Sequence, residues 1–127
     1  MTIRNIVAML GVASLVLLAA CERETATETA KDVSAARQEA TKDITDARLD
    51  AATQLADAKT EGRTDVTETA AEGSLDVAVT EAEASHKIAI EQCETLTGDA
   101  RATCKGSADN DLAAAKESAA YRYKSTQ

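Results

Sequence analysis

Large apolar side chains recur every eleven residues through the middle of the chain. The six residues at this spacing are Val33, Ile44, Leu55, Val66, Val77 and Ile88. Eleven residues make three turns of an α-helix plus about 20°, so these side chains form one nearly straight stripe on a helix. The pattern predicts an amphipathic helical region over 31–97.

Smaller residues occupy the same face of the predicted helix, three and seven positions after the apolar ones. They are Ala36, Ala47 and Ala58 in the first slot and Ala40, Ala51, Gly62, Gly73 and Ala84 in the second. An 11-residue period favours straight or slightly right-handed helix packing. A single helix over 31–96 would be about 100 Å long. Since glycine destabilises a helix by ~1 kcal/mol relative to alanine, we expect a break or frayed region within 61–74.

The repeat resembles those of group 3 late-embryogenesis-abundant proteins over roughly half of the chain. The resemblance implies segments that are disordered in solution and helical on drying or at membranes. Binding in the plane of a membrane normally uses a bulky apolar face bordered by Lys and Arg. Here the face is mostly alanine and its borders are acidic, which favours a spacer helix.

The N-terminal segment has the parts of an export signal. One basic residue, Arg4, precedes the stretch from Ile6 to Ala20, which carries no charged residue. Because a membrane-spanning helix needs roughly 20 apolar residues, this stretch is short for a permanent span. A charged start, a short apolar core and small residues at its end are typical of a secretory signal peptide, here 1–20.

The end of this segment, Leu18-Ala19-Ala20-Cys21, resembles the lipobox of bacterial lipoproteins. The resemblance implies that Cys21 receives a diacylglycerol on its sulfur, that cleavage occurs before it, and that its new amine is acylated. Stable anchoring in a lipid bilayer generally requires more than one acyl chain, and this modification would supply them. Residues 21–30 would then form the lipidated N-terminus and a linker to the helical region. Glu22 follows, where an aspartate would favour retention in the inner membrane, so the resemblance implies an envelope protein that faces the periplasm, in the outer rather than the inner membrane.

Composition favours an elongated all-α protein without a compact globular core. After Cys21 the chain has no Pro, Trp, Phe or Met, and its 13 basic and 22 acidic residues give a net charge of −9. Few bulky apolar side chains are left to offset the conformational entropy of folding, so we expect helices that are partly disordered or stabilised by partners. The acidity argues against nucleic-acid binding, which needs clusters of Lys and Arg.

The two remaining cysteines, Cys93 and Cys104, predict a disulfide, because an exported protein meets an oxidising compartment. On one continuous helix they would be about 16 Å apart, whereas a disulfide requires Cα atoms within ~7 Å. Gly98 can end one helix and Asp99 can cap the next, so a turn there brings the cysteines opposite each other. The sequence therefore predicts a disulfide-stapled αα-hairpin, with 98–127 as the turn, return helix and frayed tail.

The return helix would present one stripe of small and apolar residues to the preceding helix. The stripe comprises Cys104, Ala108, Leu112, Ala115 and Ala119, and the facing residues are Ala82, His86, Ala89 and Ile90. The segment from His86 to Lys105 also resembles one in small proteobacterial envelope proteins with the pattern Cys-x-x-Leu-x-Gly-Asp-Ala-x-x-x-Cys. The matching residues are Cys93, Leu96, Gly98, Asp99, Ala100 and Cys104. This resemblance implies an envelope location and a hairpin, and no activity.

Catalytic and metal-binding chemistry is not favoured by the sequence. His86 is the only histidine, and no nucleophile is arranged beside it. A zinc site made by His86, Cys93 and Cys104 would lack the fourth ligand that structural zinc sites normally have. We expect no enzyme activity, no cofactor and no small-molecule substrate.

Three functions remain open. The first is an acyl-anchored structural, spacer or stress-associated lipoprotein, with the bilayer as its partner through Cys21 and self-association as an option. The second is a peptidoglycan tether, because the segment Tyr121-Arg122-Tyr123-Lys124 is similar to the basic-aromatic C-terminal end of murein lipoprotein. Residues 125–127 follow Lys124, so the terminal lysine of that family is missing. The third is a periplasmic binding or accessory module that uses the hairpin, although no exposed aromatic anchor is evident there.

Overall fold

The computed structural model describes residues 25–62 and 64–126, and in this part of the chain the fold is all-α. Helix α1 runs from Ala26–Thr60, helix α2 from Val66–Cys93 and helix α3 from Gly98–Ser125. At 1.5 Å per residue, α1 is about 52 Å long and the other two are about 42 Å each. The predicted all-α class and the disulfide-stapled hairpin are confirmed. The predicted signal peptide, the lipobox and Cys21 lie outside the described residues.

Helix α1 begins at Ala26, five residues before the start that the apolar pattern predicts. The preceding residue, Thr25, forms a capping box with Glu28: the Thr25 hydroxyl accepts from the Glu28 N–H at 3.2 Å, and the Glu28 carboxylate accepts from the Thr25 N–H at 2.9 Å. These two bonds satisfy amides that the start of a helix otherwise leaves without partners. The sequence signal, Thr-x-x-Glu, is present but precedes the first large apolar residue, Val33. The predicted linker 21–30 is therefore partly helical.

The repeat region folds back on itself instead of forming one helix of about 100 Å. The chain turns between α1 and α2, with Gly62 at a φ of 65°, a conformation that glycine adopts at little cost. The break thus lies at the start of the interval 61–74 that the glycines predict. Gly73 does not interrupt the chain, since it lies in the interior of α2 and is buried.

Helices α1 and α2 are antiparallel, as their ion pairs show. Lys87 Nζ of α2 lies 3.0 Å from the Glu39 carboxylate of α1. The Arg48 guanidinium of α1 lies 2.5 Å from the Glu81 carboxylate of α2. As the residue number rises along one helix it falls along the other. The contact between Gly73 and Ala51 extends this register toward Gly62.

The 11-residue repeat supplies both sides of the α1–α2 interface. The slot that contains Ala40, Ala51, Gly62, Gly73 and Ala84 is centred on the turn. Gly73 accordingly lies against Ala51, and the equal spacing implies the same register for Ala40 and Ala84. Ala40, Gly73 and Ala84 are buried. The six large apolar residues of the repeat are only half-buried. The small residues, rather than the large ones, therefore form the centre of the interface.

Helix α2 is the middle element of the molecule. It packs against α1 and against α3, whereas within the described residues α1 and α3 have no Cα atoms within 8 Å of each other. The face of α2 between its two neighbours is open. It includes Ala70, Ser74 and Ala78, which line grooves toward both α1 and α3.

Candidate functional site

The candidate site is the stapled turn between α2 and α3, where the structure joins several of the residues that the sequence predicts. Cys93, the last residue of α2, is bonded to Cys104 of α3, and their Cα atoms are 5.7 Å apart. Cys93 is 1% exposed and Cys104 is half-buried. The bond therefore ties α3 to α2 from inside the interface.

The turn itself comprises residues 94–97 and lies just before the predicted Gly98–Asp99 pair. Gly98 has the left-handed backbone that the prediction requires, with a φ of 56°, but it is the first residue of α3. Thr97 occupies the N-cap position without a side-chain cap hydrogen bond. Asp99 lies one residue further, in the first turn of α3, where its negative charge complements the partial positive charge of the helix start.

Arg101 holds the turn closed, a role that sequence reasoning missed. Its Nε donates to the Leu96 carbonyl at 2.8 Å, and one terminal nitrogen donates to the Glu94 carbonyl at 3.1 Å. Its other terminal nitrogen lies 3.2 Å from the Glu94 carboxylate. The spacing from Glu94 to Arg101 carries no helical signal, because a turn separates them. A guanidinium can satisfy several acceptors at once through its fixed fork of donors.

Glu94 is the anionic centre of this turn. Its carboxylate pairs with Lys105 as well as with Arg101. The hydrogen bond from Lys105 and the positive charge of Arg101 hold the pKa of Glu94 below its ordinary value. The carboxylate is thus kept ionised next to the two cations that bridge the turn to α3.

Farther from the turn, polar pairs and a groove line the interface of α2 with α3. His86 Nε2 lies 2.8 Å from the Asp109 carboxylate, and Lys116 Nζ lies 2.6 Å from that of Glu83. Six of the nine residues predicted to face each other line one groove, namely Ala82, His86, Ala89, Ala108, Leu112 and Ala115, whereas Ile90, Cys104 and Ala119 are not part of its lining. Ala108 and Ala119, spaced by eleven residues, are the buried residues of α3.

The residues considered for catalysis or zinc binding have other partners in the structure. His86 is paired with the Asp109 carboxylate, and the hydroxyl of Ser85 in the same groove donates to the Glu81 carbonyl at 2.9 Å. The disulfide engages both sulfur atoms of the conceivable His86–Cys93–Cys104 zinc site. Across residues 25–62 and 64–126, no three His, Cys, Asp or Glu side chains converge as a metal site would require.

The basic-aromatic segment lies at the other end of α3. It is helical through Ser125, with Tyr121 73% exposed and Tyr123 half-buried in a groove beside Ala119 and Thr126. Arg122 and Lys124 lie in the last turn, where cations complement the partial negative charge of a helix end. The segment is therefore part of the last turns of α3 in the structure.

None of the three described helices has a stretch apolar and long enough to cross a bilayer. In comparisons with known proteins, no family model, curated protein or solved structure matches this chain.

Proposed function

We propose that the protein is a non-enzymatic lipoprotein of the bacterial envelope, anchored through acylated Cys21, whose helices form a structural spacer on the membrane. The observation that carries the proposal is the sequence Leu18-Ala19-Ala20-Cys21 at the end of a short, uncharged segment that follows a basic start. Such a segment is typical of an export signal, and a cysteine at its end is the acceptor of lipid in bacterial lipoproteins.

The fold after Cys21 is compatible with this role. The capping box at Thr25 precedes a helix that begins five residues after the cysteine, and the disulfide between Cys93 and Cys104 suits an oxidising compartment. The buried residues of the helices are mostly alanine, with glycine, cysteine and threonine, and ion pairs lie at the borders of the interfaces. These features support a self-contained helical body attached by its N-terminal end.

Replacement of Cys21 tests the proposal. In cells that express the full chain, labelled palmitate should be incorporated, and the protein should sediment with membranes. Cys21→Ala should abolish incorporation of the label and cause the uncleaved precursor to accumulate. No acylated mature protein should be found in the membrane fraction. The matched control is Cys93→Ser with Cys104→Ser, which removes the other two cysteines and should keep the label. Equal labelling of Cys21→Ala and the parent protein would refute the proposal.

A second candidate function is a peptidoglycan tether. It is favoured by the position of the Tyr121–Lys124 segment, which the antiparallel fold carries to the end of α3 opposite the stapled turn. In a protein that is anchored at its N-terminus and stands end-on to the bilayer, this end would lie farthest from the lipid. Boiling cells in SDS, collecting the sacculi and digesting them with a muramidase separates the two functions. Release only by muramidase, with loss of that fraction in Lys124→Ala but not in Lys116→Ala, would indicate a tether. Recovery wholly in the detergent fraction leaves a free lipoprotein.

A further inference from the structure

The N-terminus of α1 and the stapled turn lie at the same end of the molecule. In the antiparallel register of α1 and α2, Glu39 is paired with Lys87, and the first turn of α1 extends past Cys93 to the level of residues 95–98.

The tether from Cys21 to this end is short. Four Cα-to-Cα steps separate Cys21 from Thr25, and an extended chain spans at most ~14 Å over that length. The capping box between Thr25 and Glu28 sets the start of α1. If Cys21 is acylated, as the proposed function requires, the end that carries Thr25 cannot move far from the lipid headgroups.

We propose that the end formed by residues 25–28 and 94–97 is the membrane-facing surface of the protein, and that the Leu96 side chain contacts the lipid there. Leu96 is a large apolar residue, 39% exposed, at the tip of the turn. Its backbone is held in place, since its N–H donates to the Cys93 carbonyl and its own carbonyl accepts from Arg101. Moving an apolar side chain from water into lipid lowers the free energy, and a side chain on a fixed turn is already in position for this transfer.

The charges at this end allow such contact without anionic lipid. The carboxylate of Glu94 is paired with Lys105 and Arg101, whereas Asp99 is exposed. The end is thus not basic, and its contact with a bilayer depends on the acyl anchor and on Leu96. We therefore expect it to form on a zwitterionic surface.

The long sides of the molecule are less suited to lie on a bilayer. Leu49, 60% exposed in the middle of α1, has Asp46 and the polar residues Thr45 and Thr53 as neighbours on the helix surface. Helices that lie in the membrane plane carry a broad apolar face with Lys and Arg beside it, whereas Leu49 is a single apolar side chain among small and polar neighbours. We therefore expect the helices to project from the bilayer rather than lie on it. Tyr121 would then be about 35 Å from the turn, measured along α3.

Single tryptophan substitutions test this orientation, because the chain contains no tryptophan. Leu96→Trp, Leu49→Trp and Tyr121→Trp are prepared in the lipidated full chain and reconstituted into phosphatidylcholine vesicles with and without brominated acyl chains. We expect a blue-shifted emission and a loss of fluorescence with brominated lipid for Leu96→Trp, and neither change for the other two. Thr97→Trp is a second reporter for the turn, since the Thr97 side chain is exposed and makes no cap hydrogen bond.

Quenching at Leu49→Trp as strong as at the turn would mean that the rod lies flat, and would overturn the proposal. So would an absence of quenching at both turn positions in protein that co-floats with the vesicles and carries acyl chains on Cys21 by mass spectrometry. If mass spectrometry finds Cys21 without lipid, the proposed function fails first and this orientation fails with it. The mass of the N-terminal peptide thus distinguishes the two failures.

Discussion

Gly73 of α2 approaches Ala51 of α1 so closely that a Cβ atom added to Gly73 would lie 2.9 Å from the Ala51 Cβ and 3.4 Å from its Cα. Neither atom is the end of a flexible side chain, so the helices would have to separate to admit a methyl group. The glycine is thus a packing residue of the α1–α2 interface, although it lies in the middle of a helix.

Gly73→Ala should destabilise the protein in spite of the higher helix propensity of alanine. The matched variant is Gly106→Ala in α3, where an added Cβ would meet no atom within 4 Å and the gain in helix propensity of about 1 kcal/mol should appear in full. The free energies of unfolding from denaturant titrations provide the measurement. Adding Ala51→Gly to Gly73→Ala should recover stability relative to the sum of the two single changes. A Gly73→Ala protein as stable as Gly106→Ala would contradict the close approach.

Reduction of the disulfide should loosen α3 while α1 and α2 stay paired. Within the described residues α3 packs against α2 alone, and besides the backbone of the turn the Cys93–Cys104 disulfide joins it to that helix. We expect the loss of the bond to lower stability by about 2–4 kcal/mol. Hydrogen exchange should show α3 amides losing protection before those of α1.

The control for this experiment is a thiol reagent without reductant, which should modify neither Cys93 nor Cys104. Reduced protein in which α1 and α3 lose protection together would contradict the independence of the two hairpins.

Arg101→Lys should destabilise the stapled turn even though it keeps the positive charge. Lysine offers one compact donor group in place of the guanidinium fork that reaches the carbonyl groups of Leu96 and Glu94. Loss of these bonds should lower the free energy of unfolding by about 1–3 kcal/mol. Arg37→Lys, at an exposed position of α1, is the control and should leave stability nearly unchanged. Equal melting temperatures for the two variants would show that Arg101 does not hold the turn.

Acid should weaken the turn through Glu94. Its pKa in the folded protein is lowered by the hydrogen bond from Lys105 and by the charge of Arg101, so ionisation of this group stabilises the fold. The stabilisation is fully present above the ordinary pKa of 4.5 and is lost as the pH falls through the lowered value. Glu28 acts in the same direction at the start of α1, because its pKa is lowered by the Thr25 N–H and hydroxyl.

Melting temperatures recorded as a function of pH, with the disulfide intact, test this dependence. Glu94→Gln should melt lower at neutral pH and lose less stability on acidification than the parent protein. Glu117→Gln, at an exposed acidic position elsewhere on α3, should retain the parent's slope. An unchanged slope in Glu94→Gln would mean that the acid sensitivity arises elsewhere.

Much of this molecule follows from the sequence because its signals are local. The 11-residue spacing from Val33 to Ile88 identifies helices and the face that they bury, and the two cysteines with a glycine between them predict the second hairpin. The capping box at Thr25 is also local, and it was missed only because no large apolar residue lies beside it. These signals depend on residues within a few turns of one another, whose relative positions the helix geometry sets.

Only the tertiary structure decided what the repeat packs against. A stripe of alanine at this period is equally compatible with one long helix against a partner and with a chain that folds back at Gly62, because the local pattern is the same in both. The choice depends on contacts between residues far apart in sequence, such as Gly73 with Ala51 and Lys87 with Glu39. Arg101 belongs to the same class, since the carbonyl groups that it bonds become neighbours only after the turn has formed. The sequence by itself thus determined helices, faces and the covalent staple, and three-dimensional packing decided which faces meet.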